Sequence, residues 1–333
     1  MFSLNWMPDW GVKKRLIHSF AARKRQMTAV ICSGKAKLSD KECCLKDEIN
    51  WLEKNKSGGF ESYRAILVNS TVYEKGEDNL SRVADPPIIT LSNLDSCVEP
   101  PSKQIDDISG NHINQLQNSQ IYMAYSVNRT LEKKAKVNPP YTFHERNSNV
   151  YYSMLIDTEP DDLNLLFRLS GFVEWLGLYK PELLFSQETN ASEYLFYWLI
   201  QNIMETGGDV LNGLYKGLNT LSNHKIGGLY NLFFSDGTGV YAYSAKEECH
   251  NGIKTISFRI NRDEHNIFSY VLRNSEDPDE LDWIHLKANS LYYFPTRGAL
   301  QNYLNIDTPI RSEVKLKKCM YWNCLSLMSS NMI

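Results

Sequence analysis

Apolar residues come in short runs through the opening and closing parts of this chain, and at helical spacing through its middle. Met27–Ser33 (Met-Thr-Ala-Val-Ile-Cys-Ser) reads as a buried strand ended by Gly34. Ser39-x-x-Glu42 is a capping box for a helix reaching about Asn55, with Cys44, Leu45, Ile49 and Leu52 on one face. Tyr63–Val68 and Thr71–Glu74 predict a hairpin across Asn69-Ser70, and the proline-rich stretch Asp85–Pro101 holds one apolar run, Ile88–Leu91. Asp106–Asn118 keeps a helical rhythm through Ile108, Ile113 and Leu116. Ile121–Val127 and Val150–Ile156 predict strands, separated by an extended Asn138-Pro-Pro140. Thr158-Glu-Pro-Asp-Asp162 predicts a helix start leading into Leu163, Leu166, Phe167 and Leu169.

Two helices follow. Asn190-x-x-Glu193 opens one with a stripe of Leu195, Trp198, Leu199 and Ile203; Leu211, Leu214, Leu218 and Leu221 mark the next. The clearest hairpin is Leu229–Ser235, Asp236-Gly237, Val240–Ser244: an aromatic arm, a pair suited to positive φ, and an alternating arm carrying Tyr241 and Tyr243. Thr255–Ile260, Ser269–Leu272 and Ser290–Phe294 predict three further strands, and Val314 and Leu316 a last one. Strands, then helices, then strands imply an α+β fold with antiparallel sheets covered by helices. No internal repeat interrupts it.

Composition supports a full core: 333 residues, 42% hydrophobic and 12% aromatic. The net charge of −3 gives the main body no field favouring nucleic acid, but the charge is uneven. Residues 1–26 carry six Lys and Arg against Asp9, a net of +5, and the remainder is about −8. Val12, Leu16, Ile17 and Phe20 fall near helical spacing among those basic residues. Three readings fit this extension: an organellar targeting helix, a nuclear-import or nucleic-acid patch, or a solvated tail ahead of a start at Met27. Residues 27–333 are read as a single domain.

The seven cysteines, an odd number without any C-x-x-C pair, show no zinc spacing and suit reduced thiols in an intracellular protein, cytoplasmic unless residues 1–26 direct it elsewhere. No cofactor or metal is expected, and no apolar run reaches the ~18 residues of a membrane helix. His144, His224 and His265 lack a nucleophile motif, and Glu99, Glu188 and Glu193 form no carboxylate pair. A protein partner and the oligomeric state are left open by the sequence.

Two segments carry a family resemblance: Thr189-Asn-Ala-Ser-Glu-Tyr-Leu-Phe-Tyr-Trp-Leu199, and Asn231-Leu-Phe-Phe-Ser-Asp-Gly237 with Tyr241-Ala-Tyr243. With Asp282-Trp-Ile284, Asn289-Ser-Leu291 and Phe294-Pro-Thr-Arg-Gly298 they resemble, in consistent order over roughly residues 27–300, the small stand-alone class II glutamine amidotransferases. The resemblance implies an N-terminal-nucleophile hydrolase fold, a four-layer αββα sandwich. It also implies a chemistry: a first-residue cysteine attacks the glutamine amide, with its own α-amino group as base.

By the same resemblance Thr28 stands at the nucleophile position, with Cys32 the nearest thiol and expected in the core. The family's Ala-His-x-Arg strand falls on Ala124-Tyr-Ser-Val127, with Arg129 displaced. Its His-Pro-Phe segment falls on Pro139-Pro-Tyr141, and its oxyanion-holding His-Asn-Gly on Met154-Leu-Ile156. The ammonium-binding Asp of its Thr-Asp-Ser-Glu is Ala191. Nucleophile, carboxylate clamp, oxyanion hole and ammonium clamp are all altered. The expectation is therefore a scaffold without glutaminase activity, its remaining cleft lined by Met154, Leu155 and Ile156. The alternatives are an active amidotransferase or hydrolase using a processed Thr28, and an unrelated α+β interaction protein.

Overall fold

The computed structural model describes residues 26–33, 43–45, 47–48, 51–52, 62–69, 88–92, 119–127, 139–145, 150–157, 163–169, 171–185, 190–224, 226, 230–245, 256–262, 267–274, 282–296 and 301–305. The basic extension 1–25, the expected helix at Asp106–Asn118 and the expected strand at Val314–Leu316 lie outside them.

Thirteen strands among the described residues form two antiparallel sheets. They are β1 (Met27–Cys32), β2 (Ser62–Asn69), β3 (Ile88–Ser92), β4 (Ser119–Val127), β5 (Tyr141–Glu145), β6 (Val150–Ile156), β7 (Asn231–Ser235), β8 (Gly239–Ser244), β9 (Ser257–Arg262), β10 (Ile267–Arg273), β11 (Ile284–His285), β12 (Ser290–Pro295) and β13 (Gln301–Asn305). A seven-stranded sheet runs β11-β9-β10-β1-β4-β2-β3, and a six-stranded sheet runs β13-β12-β8-β7-β6-β5. β1, the first apolar run, is therefore central, paired with β10 and β4 along both edges.

Strand alternation sorts the side chains into two cores. Met27, Ala29 and Ile31 of β1 meet Leu155, Phe233, Val240, Ala242 and Phe294 between the sheets. The opposite phase of the six-stranded sheet — Tyr152, Met154, Ile156, Leu232, Phe234, Tyr241 and Tyr243 — faces a helical layer. That layer holds a 3-10 turn at Leu163–Arg168 and helices α1 (Phe172–Tyr179), α2 (Pro181–Phe185), α3 (Ala191–Glu205) and α4 (Val210–Asn223). Helical residues at 43–45, 47–48 and 51–52 lie on the outer face of the seven-stranded sheet, where Cys44, Glu48 and Trp51 touch β9, β10 and β1. The result is the α+β sandwich with two antiparallel sheets between helical layers.

Several expectations need correction. β2 forms, but β3 and β4 occupy both of its edges over residues 64–68, so the partner expected at Thr71–Glu74 has no place there; that segment lies outside the described residues. The helix expected to start at Thr158 is a 3-10 turn from Leu163. The supposed stripe of α3 is no stripe: every residue from Ser192 to Ile203 is buried, because the helix is wedged between the sheet, α1 and α4. Asn190 stands at its N-cap without a side-chain capping bond. In α4, Leu214, Leu218 and Leu221 are buried, but Leu211 only half so, and Asp209 caps the helix by accepting from Asn212 N–H at 3.0 Å. β5, β11, β13, α1 and α2 add to what the pattern predicted.

Candidate functional site

Thr28, which the resemblance puts at the nucleophile position, lies at the start of β1. Thr28 sits on the outer phase of the strand, away from the space between the sheets, and is fully buried. Its hydroxyl donates to Glu48 Oε2 at 2.7 Å and also lies 3.0 Å from the Leu272 carbonyl. A hydroxyl has one proton, so the shorter bond to the carboxylate takes it.

Glu48 is itself fully buried, and a buried carboxylate is tolerable only when compensated. Arg273, from β10, supplies the compensation: Nε to Oε2 and Nη2 to Oε1, both at 2.8 Å, a side-on bidentate pair. Trp51 and Trp283 lie at 4.6 and 4.5 Å from the guanidinium carbon, close enough for cation–π contact from each indole. The helical residue at 48 thus reaches through the sheet's outer layer to hold Thr28.

On the other side of β1 a second polar network ties the two sheets together. Met27 N–H donates to Asn274 Oδ1 at 2.6 Å, and Asn274 N–H returns to the Met27 carbonyl at 3.2 Å. Asn274 Nδ2 donates to Asp157 Oδ2 at 3.2 Å, and Asp157 accepts from the backbone N–H and side-chain amide of Asn231, each at 2.8 Å. Asp157, at the end of β6, and Asn231, at the head of β7, belong to the six-stranded sheet; Met27 and Asn274 flank the seven-stranded one.

The other singled-out residues are dispersed. Of the three proposed to line a cleft, Leu155 alone faces between the sheets; Met154 and Ile156 point into the helical layer, as alternation requires. Tyr125 faces the inter-sheet core and donates to the Pro139 carbonyl at 2.5 Å. Tyr141 lies 2.6 Å, oxygen to oxygen, from Ser192, and Ala191 begins α3. Cys32 is buried on the same phase as Thr28. His144 stacks on Tyr151, with ring centroids 3.9 Å apart, and His224 caps α4. Arg129, His265, Glu99 and Glu188 lie outside the described residues.

Cys44 sits nearby, 3.3 Å from Asn261 Nδ2 and 3.6 Å from Ser269 Oγ; burial pushes its thiol up despite those hydrogen bonds, so it stays protonated. Among the described residues no His, Cys, Asp and Glu cluster could hold a metal ion, and no helix is long and apolar enough to cross a membrane.

Glu48, Arg273, Asp157 and Asn274 escaped the sequence reading. One signal was present for Glu48: it falls four residues after Cys44 and four before Leu52, a charged residue on a face otherwise apolar.

No family model matches the chain, and no curated protein matches it. Solved structures do. The allosteric regulatory enzyme of purine biosynthesis superposes with a TM-score of 0.52 at 8% identity, over 86% of this chain and 50% of that one. The glutamine phosphoribosylpyrophosphate amidotransferase of B. subtilis gives 0.49 at 10% identity, over 85% and 50%. A glutamine aminotransferase class-II domain protein from Silicibacter pomeroyi gives 0.44 at 13% identity, over 84% and 99%. The chain spans about half the length of the first two. What this likeness establishes is the fold, an α+β sandwich of two antiparallel sheets covered by helices, shared with the allosteric regulatory enzyme of purine biosynthesis.

Proposed function

We propose that this chain is a class II glutamine amidotransferase-like scaffold without glutaminase activity, acting as a binding or regulatory partner. The observation that carries the reading is the setting of Thr28. Its hydroxyl is fully buried, turned to the outer helical layer and bonded to Glu48, which Arg273 neutralises. A substrate amide entering between the sheets would meet the other phase of β1, beginning with Met27, and the apolar Leu155.

On this reading the chain keeps Met27 and therefore has no base of the kind the family uses. The mechanism needs a free α-amine beside the nucleophile; in a chain that keeps Met27 that nitrogen is an amide within β1, and the Met27 N–H donates to Asn274. Loss of an oxyanion donor alone costs roughly 10²–10³ in rate. Titration calorimetry with glutamine tests the reading: no saturable heat is expected, and tight stoichiometric binding would contradict it.

One observation favours a second reading. Glu48 Oε2 lies 2.7 Å from Thr28 Oγ1, within reach of a general base for an activated threonine. That enzyme would require cleavage of the Met27–Thr28 bond, so its mature chain would begin at Thr28.

A further inference from the structure

The outer face of the seven-stranded sheet presents two arginines side by side, and among the described residues a carboxylate pairs with one of them, Arg273. Val271 pairs with Arg259 and Arg273 with Ser257, so Arg259 and Arg273 are diagonal neighbours on one face of β9 and β10. Both guanidinium groups lie against the same indole, Trp283, at 5.4 and 4.5 Å from the ring centroid. Arg273 turns its Nε–Nη2 edge to Glu48 and binds both carboxylate oxygens.

Arg259 is half-buried, its Nε is shielded from solvent, and no acceptor among the described residues bonds that atom. Among the described residues, the polar groups near it, Cys44 and Asn261, supply no charge. The Cys44 thiol is held protonated by burial, and Asn261 spends its amide nitrogen on Cys44 and Ser269. A shielded guanidinium donor left unmade is costly, and the chain matches the neighbouring guanidinium with a carboxylate.

We propose that the Nε edge of Arg259 is a binding site for a small oxyanion, a carboxylate or a phosphate, taken side-on as Arg273 takes Glu48, with the Trp283 indole as its apolar wall. The fork geometry suits either anion, because both present paired oxygens to two parallel N–H donors. The site stands on the opposite side of the sheet from the inter-sheet space and does not depend on whether glutamine is hydrolysed.

The test uses the full chain, titrated separately with sodium acetate and sodium phosphate at constant ionic strength set by chloride. The readouts are the arginine Nε–H resonances and tryptophan fluorescence. The site predicts a saturable shift of one Nε–H resonance with at least one anion, and the tighter of the two tells a carboxylate ligand from a phosphate one. Arg259→Gln should weaken binding about tenfold or more, while Arg262→Gln, at the exposed end of the same strand, should leave it unchanged. Should Arg259→Gln fail to fold, Arg259→Lys keeps the charge without the fork and should also bind more weakly. Equal responses of the wild type and the Arg259 variants would overturn the proposal. So would the absence of saturation with either anion, as when an acidic side chain of the chain itself already fills the place.

Discussion

Thr28, Glu48 and Arg273 form a chain of dependence in which each member justifies the burial of the next. Glu48, at zero exposure, has its two carboxylate oxygens bound by the bidentate guanidinium, and Arg273, between two indoles, has its charge matched by that carboxylate. Removing one partner strands the other. Glu48→Ala is therefore expected to lower unfolding stability by about 3–5 kcal/mol, measured by urea denaturation. Thr28→Val removes a single donor and should cost only about 1–3 kcal/mol. A Glu48→Ala variant as stable as the wild type would show that the pair is not buried in solution.

Tyr152 offers a separate test by pH. Burial, with smaller contributions from Asp236 and Glu145, pushes its phenol from the ordinary 10.0 up to about 12. The folded state then holds its proton more tightly than the unfolded one. Stability should be unaffected by this group below about pH 10 and fall as pH rises from there towards 12. Tyr152→Phe should flatten that fall in alkaline unfolding curves, though other buried tyrosines, Tyr197 and Tyr230, are raised in the same direction.

Among the elements, the α3–α4 pair shows most directly how sequence sets approach. A Cβ at Gly213 would stand 2.4 Å from the Ile203 Cα, so glycine there is what lets α4 lie against α3. The Trp198 indole N–H then reaches the Gly217 carbonyl at 3.2 Å. Gly213→Ala must push the helices apart, and a cost of about 1–3 kcal/mol is expected in thermal or urea unfolding. An unchanged midpoint would mean that the helices already stand further apart. The β7–β8 turn is governed by φ: Gly237 has φ 86°, and Asp236 Oδ1 accepts from both the N–H and the hydroxyl of Thr238.

These are also the elements that the sequence showed best. The β1 run, the aromatic and alternating arms of β7 and β8, and the leucines of α4 are strong local patterns. β5 was missed because its five residues, Tyr-Thr-Phe-His-Glu, form a short, partly exposed edge strand directly after two prolines. α1 was missed because eight residues with Gly177 inside and no capping bond give a weak signal, and packing of Phe172, Trp175 and Leu176 holds it instead. At the site, Thr28 was visible only by analogy with a motif. Its partners were not visible, since Thr28 and Leu272 are 244 residues apart, Glu48 and Arg273 are 225 apart, and no local rhythm reports such pairings.

For the whole molecule, two sheets share one inter-sheet core, and the Met27–Asn274–Asp157–Asn231 network fixes how they meet at the head of β1. Met27, Leu155 and Phe233 bring apolar side chains to that junction, and the Thr28 hydroxyl turns to the other side of the sheet. The fold and the altered residues are thus separable: β1, the β7–β8 hairpin and the packed helices satisfy the architecture, and none of them requires the chemistry.

The most direct test is ammonia release from glutamine by the purified full chain, read together with the intact mass of the same sample. The account predicts no ammonia above background and a mass that includes Met27. Ammonia release abolished by Thr28→Ala, from a chain whose mass begins at Thr28, would contradict it.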